Sequence, residues 1–104
     1  MLSVDAAFDR FGSALQERGY KVEKDERPPE APEDRIVVFI SQDMHVRIRW
    51  HGKARMLTLD VHADDEWVEF ARRNFGPAGL EDSSVDALVR KVLLEVAETS
   101  TDSD

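Results

Sequence analysis

The chain contains no cysteine among its 104 residues, which excludes disulfides, thiol nucleophiles and thiolate metal sites. It also lacks any apolar run close to the roughly 18 residues that a membrane-spanning helix needs. The first residues show neither a basic stretch nor an apolar stretch, so the sequence predicts no signal peptide. Together these absences predict a cytoplasmic protein that makes no membrane contact.

Basic side chains are few and unevenly distributed. Acidic residues outnumber basic ones by 22 to 14, which gives a formal net charge of −8. Residues 1–34 carry −4 and residues 57–104 carry −8, whereas residues 35–56 carry +4. The acidic flanks repel polyanions over a Debye length, which disfavours nucleic acid as a partner.

Hydrophobic side chains make up 41% of the chain, enough for one globular domain of this length. Apolar residues at helical spacing over 4–15 predict a first helix, capped by Ser3 and ended at Gly19. The all-apolar run 36–40 predicts a strand buried on both faces. Further elements are predicted as a short strand at 20–23, two strands at 44–51 and 54–62, and helices at 64–75 and 85–96.

This element order, α-β-β-β-β-α-α, predicts a single α+β domain. The domain spans residues 1–98 and is followed by a disordered tail at 99–104. An antiparallel meander sheet with the helices packed on one face is the simplest arrangement of these elements.

The register of the predicted hairpin follows from its turn. A two-residue loop at Gly52-Lys53 pairs Ile48 with Leu57 and His45 with Asp60. The apolar residues of both strands then share one face, as a one-sided core requires. Trp50 points to that core, and Arg55 lies beside it on the rim.

The opposite face of the hairpin brings two histidines and two carboxylates together. In the predicted register Asp43 and His62 lie opposite each other, next to the pair of His45 and Asp60. These ligand types at this spacing are able to bind a divalent metal or to form a His-Asp acid/base pair. The sequence otherwise calls for no cofactor, and opposite-charge pairs on a solvated face explain the pattern equally well.

The same face is predicted to carry Arg47 and Arg49, with Lys53 at the turn. These three residues are candidates for binding a phosphate or a carboxylate, although they equally suit ion pairs with acids elsewhere in the protein. The apolar strand must expose some of its side chains on this face if the helices cover only the other. The resulting candidate interface is Arg47, Arg49, His45, Met56, Ile36, Val38 and Ile40.

The first two-thirds of the chain resembles the small acidic type III secretion chaperones. The likeness covers residues 4–75. It rests on the helix ending at Gly19-Tyr20, the apolar strand 36–40, the hairpin 44–62 and a helix opening after Asp64. The resemblance implies an acidic, cytoplasmic, dimeric and non-enzymatic domain that binds protein segments.

The sequence therefore favours a chaperone-like or adaptor-like module that binds a protein, or a second copy of itself, through the outer face of its sheet. Two alternatives stay open. One is a metal-dependent or acid/base enzyme that uses Asp43, His45, Asp60 and His62. The other is an anion or nucleic-acid binder that uses Arg47, Arg49 and Lys53.

Overall fold

The computed structural model describes residues 2–42, 44–77 and 79–101, with side chains up to residue 97. Its elements in chain order are α1 (Val4–Gln16), β1 (Lys21–Glu26), β2 (Arg35–Ile40), β3 (His45–His51), β4 (Met56–Ala63), β5 (Glu66–Asn74) and α2 (Asp82–Thr101). Every neighbouring strand pair is antiparallel, and the sheet order β1-β2-β3-β4-β5 is that of a meander. The predicted α+β class and meander sheet are confirmed.

The first helix forms as its sequence predicts. The Ser3 hydroxyl accepts a hydrogen bond of 3.0 Å from the backbone N–H of Ala6, which caps the helix. After the helix, Gly19 adopts a φ of 89°, a conformation that costs glycine little because it has no Cβ atom. The Tyr20 N–H then donates to the Leu15 carbonyl, and this bond turns the chain into β1.

The predicted helix at 64–75 is wrong, because these residues form the fifth strand. Asp64 and Asp65 have φ values of 52° and 68°, the paired positive angles of a tight hairpin turn between β4 and β5. A bulge at Phe70 then places Ala71 opposite Leu59 while Glu69 stays opposite Asp60. The extra residue breaks the period-two alternation, so the apolar positions imitate helical spacing.

The β3–β4 register also differs from the predicted one. The turn contains four residues, 52–55, with a positive φ of 51° at Arg55, so Ile48 pairs with Leu59 and Arg47 with Asp60. The predicted pairing of His45 with Asp60 is therefore wrong. The shift is two residues, an even number, and each side chain stays on its predicted face.

Gly52 is needed for a reason that the sequence does not reveal. A Cβ atom at this position would lie 2.8 Å from the Glu33 carbonyl oxygen, closer than real side-chain contacts allow. The Gly52 N–H also donates a 2.7 Å hydrogen bond to the Asp34 carboxylate. The hairpin turn is thereby fixed to the loop between β1 and β2.

Both helices pack on one face of the sheet, here called the inner face. Their apolar sides meet inward-facing residues of β2, β3 and β4, and form one core. The largest fully buried apolar side chains of that core are Phe11, Phe39, Leu15, Ile48, Leu57, Leu59, Val46, Val85 and Val92. The helices cover the edge strands only in part, and Val22 on β1 and Val68 on β5 remain 49% and 43% exposed.

The loop over residues 27–34 lies toward the helix side and the hairpin end of the sheet. Arg27 bonds to Asp5 of α1 at 2.7 Å, and Asp34 contacts Gly52 as described above.

At the other end of the chain, α2 runs to Thr101, into the predicted tail 99–104, whose last three residues lie outside the described part. Within the described residues, no helix is long and apolar enough to cross a membrane.

Candidate functional site

The second face of the sheet, here called the outer face, is not covered by either helix. Strand pairing arranges its side chains in four transverse rows. From β1 toward β5, the rows are Lys21, Ile40, His45, His62 and Trp67; then Lys24, Val38, Arg47, Asp60 and Glu69; then Glu26, Ile36, Arg49, Thr58 and Arg72; and finally His51, Met56 and Asn74. All three histidines of the chain lie on this face.

An ionic cluster occupies the middle of the outer face. The Arg47 Nε donates to Asp60 Oδ2 at 3.0 Å, and Arg49 donates to both Asp60 oxygens, from Nε at 2.9 Å and from Nη2 at 3.1 Å. Asp60 is 1% exposed, whereas the side chains of Arg47 and Arg49 are 23% and 27% exposed. The two guanidinium groups shield the carboxylate from water, and the cluster carries a net positive charge.

An aromatic group borders this cluster at one end of the sheet. The His62 ring lies edge-on to Trp67, with centroids 5.1 Å apart, and His45 lies edge-on to His62 at 5.8 Å. The Arg47 guanidinium carbon lies 4.5 Å from the centre of the Trp67 ring, within cation–π range. Arg47 therefore reaches across β4 and connects the aromatic group to Asp60.

An apolar column on β2 runs along the other side of the arginines. Ile36 pairs with Arg49, Val38 with Arg47, and Ile40 with His45, so these three side chains share the outer face as the sequence predicts. Val38 is 7% exposed and its two neighbours are half-buried. Apolar side chains on β2 thus lie directly beside the arginines on β3.

The β5 side of the face has its own ion pair. Arg72 forms two hydrogen bonds with Glu69, at 2.7 and 3.0 Å. The hydrogen bond from Arg72 lowers the pKa of Glu69, and the positive charge of nearby Arg49 acts in the same direction. Beside them, the Thr58 hydroxyl is buried on the outer face and has no hydrogen-bond partner among the described atoms.

The predicted metal set does not assemble among the described residues. Asp43 lies outside them, and Asp60 is held by Arg47 and Arg49. His45 and His62 are neighbours, as the ring contact shows, but no group of three metal-ligating side chains exists within the described ranges.

Two further predicted binding residues lie at the hairpin end. Met56 pairs with His51 on the outer face, whereas Lys53 is exposed in the turn 52–55. Arg55 lies with its guanidinium carbon 5.8 Å from the centre of the Trp50 ring, in the predicted rim position. Trp50 itself is 3% exposed and belongs to the core, as predicted.

The sequence interpretation missed Trp67 as a residue of this face, because it predicted a helix over residues 64–75. The consecutive acidic residues Asp64 and Asp65 were the signal that could have placed it, since aspartate tolerates the positive φ angles of a two-residue hairpin turn. With that turn recognised, continuing the strand alternation would have put Trp67 on the face of His62.

A separate groove of about 460 Å³ lies between α1 and the first two strands. Arg35, which lines this groove, already forms ion pairs with Asp5 at 2.9 Å and with Asp25 at 2.7 Å. The hydrogen bond from Arg35 lowers the pKa of Asp25, which keeps that pair ionised. The cation in this groove is therefore neutralised from within the protein, unlike the arginine pair of the outer face.

Comparison of the chain with protein-family models, with curated proteins and with solved structures finds no match.

Proposed function

We propose that the protein is a non-enzymatic binding module that holds a protein partner on the outer face of its sheet. The supporting observation is that the two helices cover only the inner face. The uncovered outer face concentrates Trp67, Arg47 and Arg49 beside the apolar column on β2. Tryptophan and arginine are the side chains that most often contribute the largest share of binding energy at protein interfaces.

The ionic cluster also favours binding over catalysis. Asp60 is the only carboxylate among the described residues in contact with Arg47 and Arg49, and three hydrogen bonds occupy its two oxygens. A general base needs a free lone pair directed at a substrate proton. Asp60 instead fixes the two guanidinium planes, which lowers the entropy lost when they bind.

The chaperone-like role that the sequence resemblance implies is included in this proposal, with one change. The helix after Asp64, one of the points of likeness, is a strand, so the partner mode is not carried over from that family. A homodimer formed by two outer faces would bring like positive charge together, which disfavours it. The proposed partner is therefore a different protein.

A photo-crosslinking experiment tests the proposed surface. A benzophenone amino acid replaces Met56 on the outer face, and a matched variant carries it in place of Arg90 on the exposed side of α2. Irradiation in a nuclease-treated lysate of the native host should join one protein to the Met56→benzophenone variant alone. That protein, once identified and purified, should bind the unmodified chain.

Equal capture by both variants, or failure of the purified partner to bind, would remove the outer face as the binding surface. A species that is captured only when the nuclease is omitted would instead indicate nucleic acid. The aromatic group of His45, His62 and Trp67 would then be the stacking platform.

A further inference from the structure

We infer that the partner segment is acidic and places its carboxylates on Arg47 and Arg49. This inference rests on the proposed function and specifies the chemistry of its ligand. The charge distribution, the free hydrogen-bond donors and the fixed geometry of the arginines support it independently.

Charge is strongly divided between the two sides of the molecule. The outer face carries five basic and three acidic side chains, a balance of +2, which leaves −10 for the rest of the chain. The negative charge on the rest of the protein repels polyanions at a distance. It also orients an approaching acidic segment toward the outer face. A short peptide with a few carboxylates is subject to less of that repulsion than a nucleic acid with one charge per phosphate.

The three acidic side chains of the outer face are each already paired. Asp60 is held by both central arginines, Glu69 by Arg72 and Glu26 by Lys24. These ion pairs leave Arg47 and Arg49 with N–H donors that form no hydrogen bond to an acidic side chain of this face. Among the described residues, the hydrogen bonds of Arg47 use only its Nε, and those of Arg49 use its Nε and Nη2.

The spare donors are held in place before any ligand arrives. Asp60 fixes both guanidinium groups, and Trp67 supports the plane of Arg47. Arginine presents its donors in a planar fork that matches a carboxylate. Both terminal nitrogens of Arg47 and one of Arg49 are thus available for carboxylates on the partner.

The surroundings of the arginines add a requirement for apolar side chains in the ligand. Ile36 and Ile40 on β2 lie on one side of Arg47 and Arg49, and Trp67 on β5 lies on the other side. A segment that only carried charge would leave these surfaces in contact with water. We therefore expect acidic residues interspersed with leucine, phenylalanine or similar side chains.

Selection from a random 12-residue peptide display library tests this chemistry. The wild-type protein serves as bait, with counter-selection against the variant Arg47→Met/Arg49→Met/Asp60→Leu, which removes the whole ionic cluster so that no charge is left buried and unpaired. Enriched peptides should carry an excess of Asp and Glu over the unselected library, together with apolar residues.

A synthetic peptide from the enriched set then gives the affinity by fluorescence anisotropy. Its Kd should rise at least about tenfold when its acidic residues are replaced by Asn and Gln. A second variant, Lys21→Glu/Lys24→Glu, leaves the cluster intact and should weaken binding about threefold or more at low salt. Arg90→Glu/Lys91→Glu on α2 makes the same change in net charge and should alter the Kd by less than about twofold.

The outcomes separate the inference from the proposed function. Enriched peptides without acidic residues, still lost on the cluster variant, would overturn the inference and leave the binding module standing. No enrichment over the cluster variant would overturn both. Equal or tighter binding of a labelled twelve-residue oligothymidine, in competition with the peptide, would overturn both in favour of nucleic acid.

Discussion

The two faces of the sheet are built from the same strands but stabilised in different ways. On the inner face, side chains such as Ile48 and Leu59 are removed from water by contact with the helices. On the outer face, Asp60 is equally buried, but Arg47 and Arg49 cover it from within the sheet. The inner face is buried only because the helices form a second layer over it, whereas Asp60 on the outer face is buried without such a layer. Because no helix covers the outer face, its side chains stay accessible to a partner.

The inner face should be the more sensitive to loss of packing. Phe11 on α1 is fully buried in the core, so Phe11→Ala should lower the free energy of unfolding by about 3–5 kcal/mol. Urea denaturation followed by tryptophan fluorescence measures the change. The variant Leu94→Ala on the exposed side of α2 provides the control and should cost less than about 0.5 kcal/mol. Equal losses for the two variants would contradict the assignment of the core.

The outer face should be sensitive to unpaired charge rather than to lost volume. Arg47→Met/Arg49→Met leaves Asp60 buried without a counter-charge and should cost about 3 kcal/mol. Adding Asp60→Leu should recover most of that loss, because no buried charge then remains. Denaturation of the double and triple variants measures the difference. A triple variant no more stable than the double one would show that the arginines stabilise the sheet by packing alone.

The hairpin turn between β3 and β4 offers a matched glycine pair. Gly52→Ala should cost about 1–3 kcal/mol, because the added methyl group would meet Glu33. Gly76→Ala should change stability much less, since nothing lies within 4 Å of a Cβ atom there. Thermal unfolding of both variants gives the comparison. If the two alanines had the same effect, the contact between the loop 27–34 and the hairpin would be refuted.

The smallest expected effect tests whether the fifth strand belongs to the sheet. Asp65 has a positive φ, so Asp65→Gly should raise the free energy of unfolding by about 0.5–1 kcal/mol. Asp65→Val should lower it by a similar amount. A helix beginning at this point would give the opposite result for glycine, which is a poor helix former. Thermal unfolding of the two variants therefore separates a hairpin turn from the helix that the sequence suggested.

Much of the outer face could be predicted because it depends only on strand parity. Alternation placed Arg47, Arg49 and His45 on one side, and the apolar run required some of its own side chains to share it; strand pairing shows that these are Ile36, Val38 and Ile40. The cross-strand partners could not be predicted with the same accuracy. Register depends on turn length, and Glu33, which crowds Gly52, comes from a distant part of the sequence.

The fifth strand shows the limit of local pattern. A single bulge at Phe70 gave residues 66–74 a helix-like spacing, and only pairing with β4 decides between the two structures. That error also hid Trp67, the side chain that connects Arg47 to the aromatic group.

The sequence by itself determined the α+β class, the meander, the first helix with its Ser3 cap and the sidedness of the hairpin. These features follow from hydrophobic periodicity and from local backbone chemistry, which act within a few residues. Only the tertiary structure decided that Asp60 is shared by two arginines and that Trp67 joins them. Those contacts depend on the register of three neighbouring strands. The register is set by the turns and by the bulge, and alternative turns and bulges differ from these by only small free energies.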